Sequence, residues 1–267
     1  MDASDFVVKH VRVETDEPCG NDGTEDQGDV ERHATLARMV FTALAGQAGT
    51  SPVCPAGHLR TRSPNVYIPA AFVESDTAKL HEFIRRNSFA VLASQRGGGL
   101  IASHLPLLLD ADAGPHGRLL GHMAKANPQW RDVRGEVMAI FSGPHAYVSP
   151  SWYEEGGTVP TWNYVAVHAY GSFHVVEERD SLLDILRRSV RTYESPRPEP
   201  WAFDESASHV ETMLKAIVGF RIEITRLEGK WKLSQNHPEE RRRKVIRAME
   251  GRPDEDSQAI ARMMSEG

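Results

Sequence analysis

The sequence predicts a mainly β (α+β) domain: an antiparallel sheet of five to seven strands closed into a small barrel, with helices at its periphery. Three observations predict it. Strand-like runs between residues 88 and 149 are joined mostly by short turns, as antiparallel neighbours allow and parallel ones do not. Two long stretches, 163–178 and 219–233, alternate with a period of two, the side-chain period of a strand. The strand–helix alternation of a doubly wound parallel sheet is missing from the middle of the chain.

Residues 1–29 are rich in Asp, Glu, Gly, Asn and Thr, with few large apolar groups after Val13. Such a composition predicts a mostly flexible segment. Residues 30–44 carry Leu36, Met39, Val40 and Leu44 at helical spacing, and "GQAGTSPVCPAGH" then reads as a linker. Residues 1–64 are therefore expected to be an extension, and 65–267 the barrel domain with its C-terminal helices. Within that domain, 76–87 reads as a helix with Leu80, Phe83 and Ile84 on one face. "SFAVLAS" (88–94) is a strand, "QRGGG" (95–99) a glycine turn and "LIASHLPLLL" (100–109) the returning strand. Strands follow at 118–123, 136–143 and 145–149, with a short helix at 128–134.

In the 163–178 strand, Val165, Val167, Ala169, Gly171, Phe173 and Val175 share one face, and His168, Tyr170, Ser172 and His174 the other. A helix at 181–193, a proline-rich stretch at 195–201 and a helix at 207–216 come next. In 219–233, Phe220, Ile222 and Ile224 point one way, and Arg221, Glu223 and Thr225 the other. Helices near 238–250 and 254–264 close the chain.

Composition narrows the function classes. Net charge is −6, and residues 1–64 hold ten acidic and six basic side chains of the whole chain's 37 and 31. Neither part offers the broad basic surface that independent nucleic-acid binding uses. No apolar run approaches the length of a membrane span and no start resembles a signal peptide, so the chain reads as cytoplasmic, with no membrane contact. Cys19 and Cys54 then read as free thiols rather than a disulfide. No nucleophile elbow, Walker loop or dinucleotide fingerprint is present. The histidines His104, His122, His145, His168 and His174 lack the cysteines and spacing of a metal site, and no metal is expected.

Three stretches carry chemistry. In "GHMAKANPQW" (121–130), a strand ends and Asn127-Pro128 starts a helix. Asn is a favoured cap and Pro suits the first helical position. Free amides there, with Lys125 and His122 alongside, would form an anion site; an ordinary capped helix would look the same. "GPHAYVSPSWYEEGGTVPTWNY" (143–164) packs Tyr147, Trp152, Tyr153, Trp162 and Tyr164 among glycines and prolines. Those rings must bury under a loop, across a subunit contact or against a flat ligand. "GKWKLSQN" (229–236) puts Lys230 and Lys232 on one strand face and Trp231 on the other, with Ser234, Gln235 and Asn236 beyond.

The blocks "YIPAAF", "ASHLPLLL", "LLGHMAKANPQW", "FSGPHAYVSPSWY", "VPTWNYVAVHAYG" and "IVGFRIEITRLEGKWKLSQN" occur in this order in the PaiB-type family, described as FMN-binding negative transcriptional regulators. The chain resembles that family from Tyr67 to near the C-terminus. The resemblance implies an FMN-binding split β-barrel, a homodimer with its flavin pocket between subunits, and a regulatory partner, DNA or protein. By analogy the FMN phosphate falls on His122, Met123, Lys125 and Asn127, with Ser103 and His104 beside the isoalloxazine edge. Trp162, Asn163, Lys232, Ser234 and Gln235 would complete the pocket from the other subunit. A flavin-dependent oxidoreductase is the alternative the same resemblance allows, and a haem-binding protein ranks behind it.

Overall fold

The computed structural model describes residues 66–266. The expected extension at 1–64, its helix at 30–44 and both cysteines lie outside them. In chain order the described residues form β1 (Val73–Glu74), α1 (Thr77–Arg86), β2 (Phe89–Arg96), β3 (Gly99–Pro106), β4 (Leu108–Asp110) and β5 (Arg118–Ala124). Then come β6 (Arg134–Val148), β7 (Thr161–Val176), α2 (Arg179–Glu194), α3 (Val210–Lys215), β8 (Ile217–Lys232), α4 (Glu239–Glu250) and α5 (Glu255–Glu266). All eight strands join one antiparallel sheet in the order β3-β2-β6-β7-β8-β5-β4, with β1 added to β8. The fold is thus mainly antiparallel β with peripheral helices, a split barrel.

Alternation along the strands builds its core. Leu92 on β2, Val137, Ala139 and Phe141 on β6, Val165 and Val167 on β7, and Phe220 and Ile222 on β8 are all buried together. Each large apolar side chain removed from water there is worth ~1.5–3 kcal/mol. Helix α1 packs against this core. Asp76 caps it by accepting from Ala78 N at 2.8 Å and Lys79 N at 3.2 Å, and Leu80, Phe83 and Ile84 point inward. The ring of Phe83 meets that of Trp231 at 5.2 Å.

Four elements depart from the sequence expectation. The run 100–109 is two strands: Leu107, whose N–H donates to Ser88 O at 2.8 Å, breaks it, and β4 leaves β2 to pair with β5. The runs 136–143 and 145–149 are one strand, β6, which carries Gly143 and Pro144 through a bulge between Ser142 and His145. Val175 is exposed and Val176 buried, the reverse of the simple alternation. Here α2 covers the other face, and Val176 packs with Ile185 of that helix. Finally, the helix expected at 128–134 is a single 3-10 turn, Pro128–Trp130.

Candidate functional site

That last difference reshapes the anion site. Asn127 does cap the turn, but its Oδ1 accepts from Gln129 N at 2.9 Å, and Arg131 N donates to Pro128 O at 3.1 Å. With three residues there is no helix dipole of consequence, and these amides are already spent. What the turn supplies instead is a seam. Asn127 Nδ2 donates to Ser103 Oγ on β3 at 2.8 Å. The buried Gln129 sends Nε2 to Leu92 O at 2.8 Å and to Ser94 Oγ at 3.1 Å, both on β2. Side chains, not ladder bonds, thus tie the end of β5 to the far edge of the sheet, where the barrel is split.

Around this corner the residues expected from the sequence fall into distinct environments. His122 is half-buried, and burial lowers its pKa below the usual histidine value. Lys125 is exposed, its N–H donating to Ala216 O at 2.8 Å. His104 is exposed and stacks on Phe89, the rings 6.2 Å apart. Met123 points its side chain into the core, so only its backbone faces the corner.

The second group lies at the other end of β8. Lys232, opposite Tyr164 on β7, donates Nζ to Thr161 Oγ1 at 2.6 Å and also to Trp162 O. Burial, then repulsion from Lys230, lowers its pKa. Trp162 is 52% exposed and meets Tyr147, 46% exposed, edge to face at 5.8 Å. Tyr153, from the same aromatic stretch, is instead part of the core. Asn163 and Ser234 are buried and bonded to each other, Asn163 Nδ2 to Ser234 Oγ at 3.0 Å, with Met264 Sδ at 3.4 Å beyond. Gln235 folds back on its own strand end, accepting from Leu233 N at 2.7 Å and donating to Trp231 O at 2.6 Å.

The two groups do not meet within one chain along the sheet. His122 pairs with Gly219, and Lys232 lies thirteen residues further along the same strand. At ~3.3 Å per residue that is roughly 40 Å of strand, longer than one flavin mononucleotide. The exposed Trp162–Tyr147 pair is an uncovered apolar platform for a ring system. Lys125 supplies a cation without an ion pair among the described residues, and Ser103 Oγ keeps a hydrogen to donate. Among those residues no three His, Cys, Asp or Glu side chains gather as a metal site would need.

One antiparallel sheet with a polar seam of side-chain bonds at its split defines the class, a small split barrel. Residues 66–226 match the family described as "Putative FMN-binding domain", and the chain belongs to that family. It is 36% identical over 204 residues to "Protease synthase and sporulation protein PAI 2" of Bacillus subtilis, covering 75% of this chain and 97% of the relative. It is also 32% identical over 253 residues to an uncharacterized protein of Aspergillus fumigatus, with the same coverage of each chain. Among solved structures it is similar to the flavocytochrome Anf3 of Azotobacter vinelandii. That match has 12% identity and a TM-score of 0.47, and covers 60% of this chain and 69% of the other. An FAD- and haem-binding protein of Mycobacterium smegmatis matches at 14% identity and TM-score 0.46, covering 60% and 73%. Family membership supports FMN as the cofactor.

Proposed function

We propose that the protein is a cytoplasmic homodimer that holds FMN at the subunit seam and acts as a negative transcriptional regulator. One observation carries the shared site: the β5 corner and the Trp162–Lys232 group stand at opposite ends of β8. A two-fold partner would bring the second group of one subunit to the first group of the other. In that arrangement Lys125, His122 and Asn127 of one subunit bind the phosphate end. Ser103 and His104 border the ring, while Trp162 and Lys232 of the partner cover it. Met123 contributes through its backbone, and Asn163, Ser234 and Gln235 hold the partner's strand end in shape. The regulatory part of the reading rests on the resemblance to the PaiB-type family, and the Bacillus relative is named a "Protease synthase and sporulation protein". With a net charge of −6, the regulator works through a protein partner or a local DNA contact rather than a broad basic face.

Mixed dimers test the shared site. Lys125→Ala and Lys232→Ala homodimers should each bind FMN weakly, whereas co-expressed mixed dimers should recover one intact site of two. Failure of the mixed dimer to recover flavin absorption, or a monomeric mass by light scattering, would overturn the seam. Promoter-reporter repression in a deletion strain, with and without the gene, tests the regulatory role.

A second reading, a flavin-dependent oxidoreductase, is favoured by His122. Kept neutral by burial, it can exchange a proton in the corner that the ring would border. FMN when bound would supply hydride or single-electron transfer. Bleaching of the flavin bands by a nicotinamide donor, lost in His122→Phe, would favour this reading; no bleaching would exclude that donor.

A further inference from the structure

Helices α2 and α3 lean against the start of β8 and leave a cleft of about 250 Å3. Its floor is apolar, built from the buried Val176, Leu182, Leu214 and Val218. Two lysines rim it. Lys125 reaches it from the end of β5 because its N–H donates to Ala216 O at 2.8 Å, directly after Lys215, the last residue of α3. The carboxylate one turn before Lys215 is Glu211, and that group is taken by Arg179, whose Nε donates to it at 2.9 Å. Neither lysine has a carboxylate within ion-pair distance among the described residues. Both lysines line the cleft, so an anion bound there can draw on either cation.

We infer that this cleft is a second small-molecule site and that it takes a short-chain monocarboxylate, the chain on the apolar floor and the carboxylate between Lys125 and Lys215. Charge balance selects a monoanion. The ionisable groups lining the cleft are Lys125, Arg179 and Lys215 against Glu177 and Glu211, a surplus of one positive charge. The volume falls below the ~300 Å3 where pockets for drug-sized ligands begin, so the ligand is small. A floor of Val and Leu side chains offers no hydrogen bonds to the hydroxyls of a sugar.

Calorimetric titration of the full chain with octanoate, octylamine and octanol tests the assignment. Octanoate should bind saturably, octanol more weakly, and octylamine not at all. Lys215 is exposed, so Lys215→Gln should keep the fold while weakening octanoate by about tenfold or more, the usual worth of a charge-assisted bond. Lys125 is shared with the proposed phosphate corner, so the titration uses flavin-free protein; FMN binding should be unchanged in Lys215→Gln, because Lys215 lines the cleft and not that corner, and the two readings therefore fail separately. Absent octanoate binding, equal binding of octylamine, or an unaltered octanoate affinity in Lys215→Gln would overturn the proposal.

Discussion

Asn127 and Ser103, 24 residues apart in sequence, meet at 2.8 Å, Asn127 Nδ2 donating to Ser103 Oγ while Asn127 Oδ1 accepts from Gln129 N. One amide therefore caps a turn and pins β3 to the end of β5. Two substitutions separate these jobs from ligand binding. Asn127→Ala removes both bonds and should cost about 1 kcal/mol in urea unfolding, as loss of a cap usually does. Asn127→Asp keeps the cap and lets the Ser103 hydroxyl turn to donate, so stability should stay near wild type. Its negative charge would nonetheless weaken FMN binding if the phosphate lies there. Equal FMN affinity in Asn127→Asp and wild type would remove the phosphate from this corner.

Gln129 next to it is fully buried and bridges to Leu92 O and Ser94 Oγ. Its replacement by Leu fills similar volume but leaves a strand carbonyl without its extra donor. Stranding a buried polar group costs about 1–3 kcal/mol. Urea unfolding of Gln129→Leu should show a loss in that range. A midpoint unchanged from wild type would mean that ladder bonds alone satisfy these groups.

Acid should weaken the fold before it reaches the carboxylates. Burial lowers the pKa of both His122 and His168 below the ordinary 6.5, opposed at His168 by Glu228 and aided there by Lys230. A histidine with a lower pKa folded than unfolded binds fewer protons when folded. Its stabilising contribution is then complete above about pH 6.5 and is lost as pH falls toward the folded value. His168 Nδ1 is buried with no partner, so a proton there is costly. Melting temperature should decline from pH 7 to 5, and His168→Gln should flatten that decline; parallel curves for the two proteins would contradict the assignment.

Much of this fold was legible because alternation is local. Phe220, Ile222 and Ile224 are buried as the pattern of 219–233 predicts, and the Leu80–Phe83–Ile84 face of α1 packs inward. Misreadings came where a distant element decides the outcome. Which face of the β7 end is covered depends on α2, so Val175 and Val176 exchange roles. Glycine and proline at 143–144 look like a break in sequence, yet pairing to β7 on both sides carries the strand through. The candidate site was legible as residue types, not as placement. Nothing in the sequence shows that Asn163 faces Ser234 inside the core, or that Lys125 N–H bonds to Ala216 O, 91 residues away.

Gly171 marks where β7 and β8 approach too closely for a side chain. A Cβ built there would lie 2.3 Å from Glu223 O and 2.7 Å from Ile222 Cγ2, at the bulge where the β7–β8 register shifts between Tyr170 and Gly171. The obstructing oxygen is backbone, held in the longest pairing of the sheet, so it has little freedom to retreat. Gly171→Ala should therefore destabilise by at least the ~1–3 kcal/mol typical of overpacking. Gly156 has nothing within 4 Å of the same added carbon, and Gly156→Ala should stay within about 0.5 kcal/mol of wild type, as exposed substitutions do. Thermal unfolding of the pair checks this close approach directly: if both variants melt together with wild type, β7 and β8 must lie farther apart at this bulge.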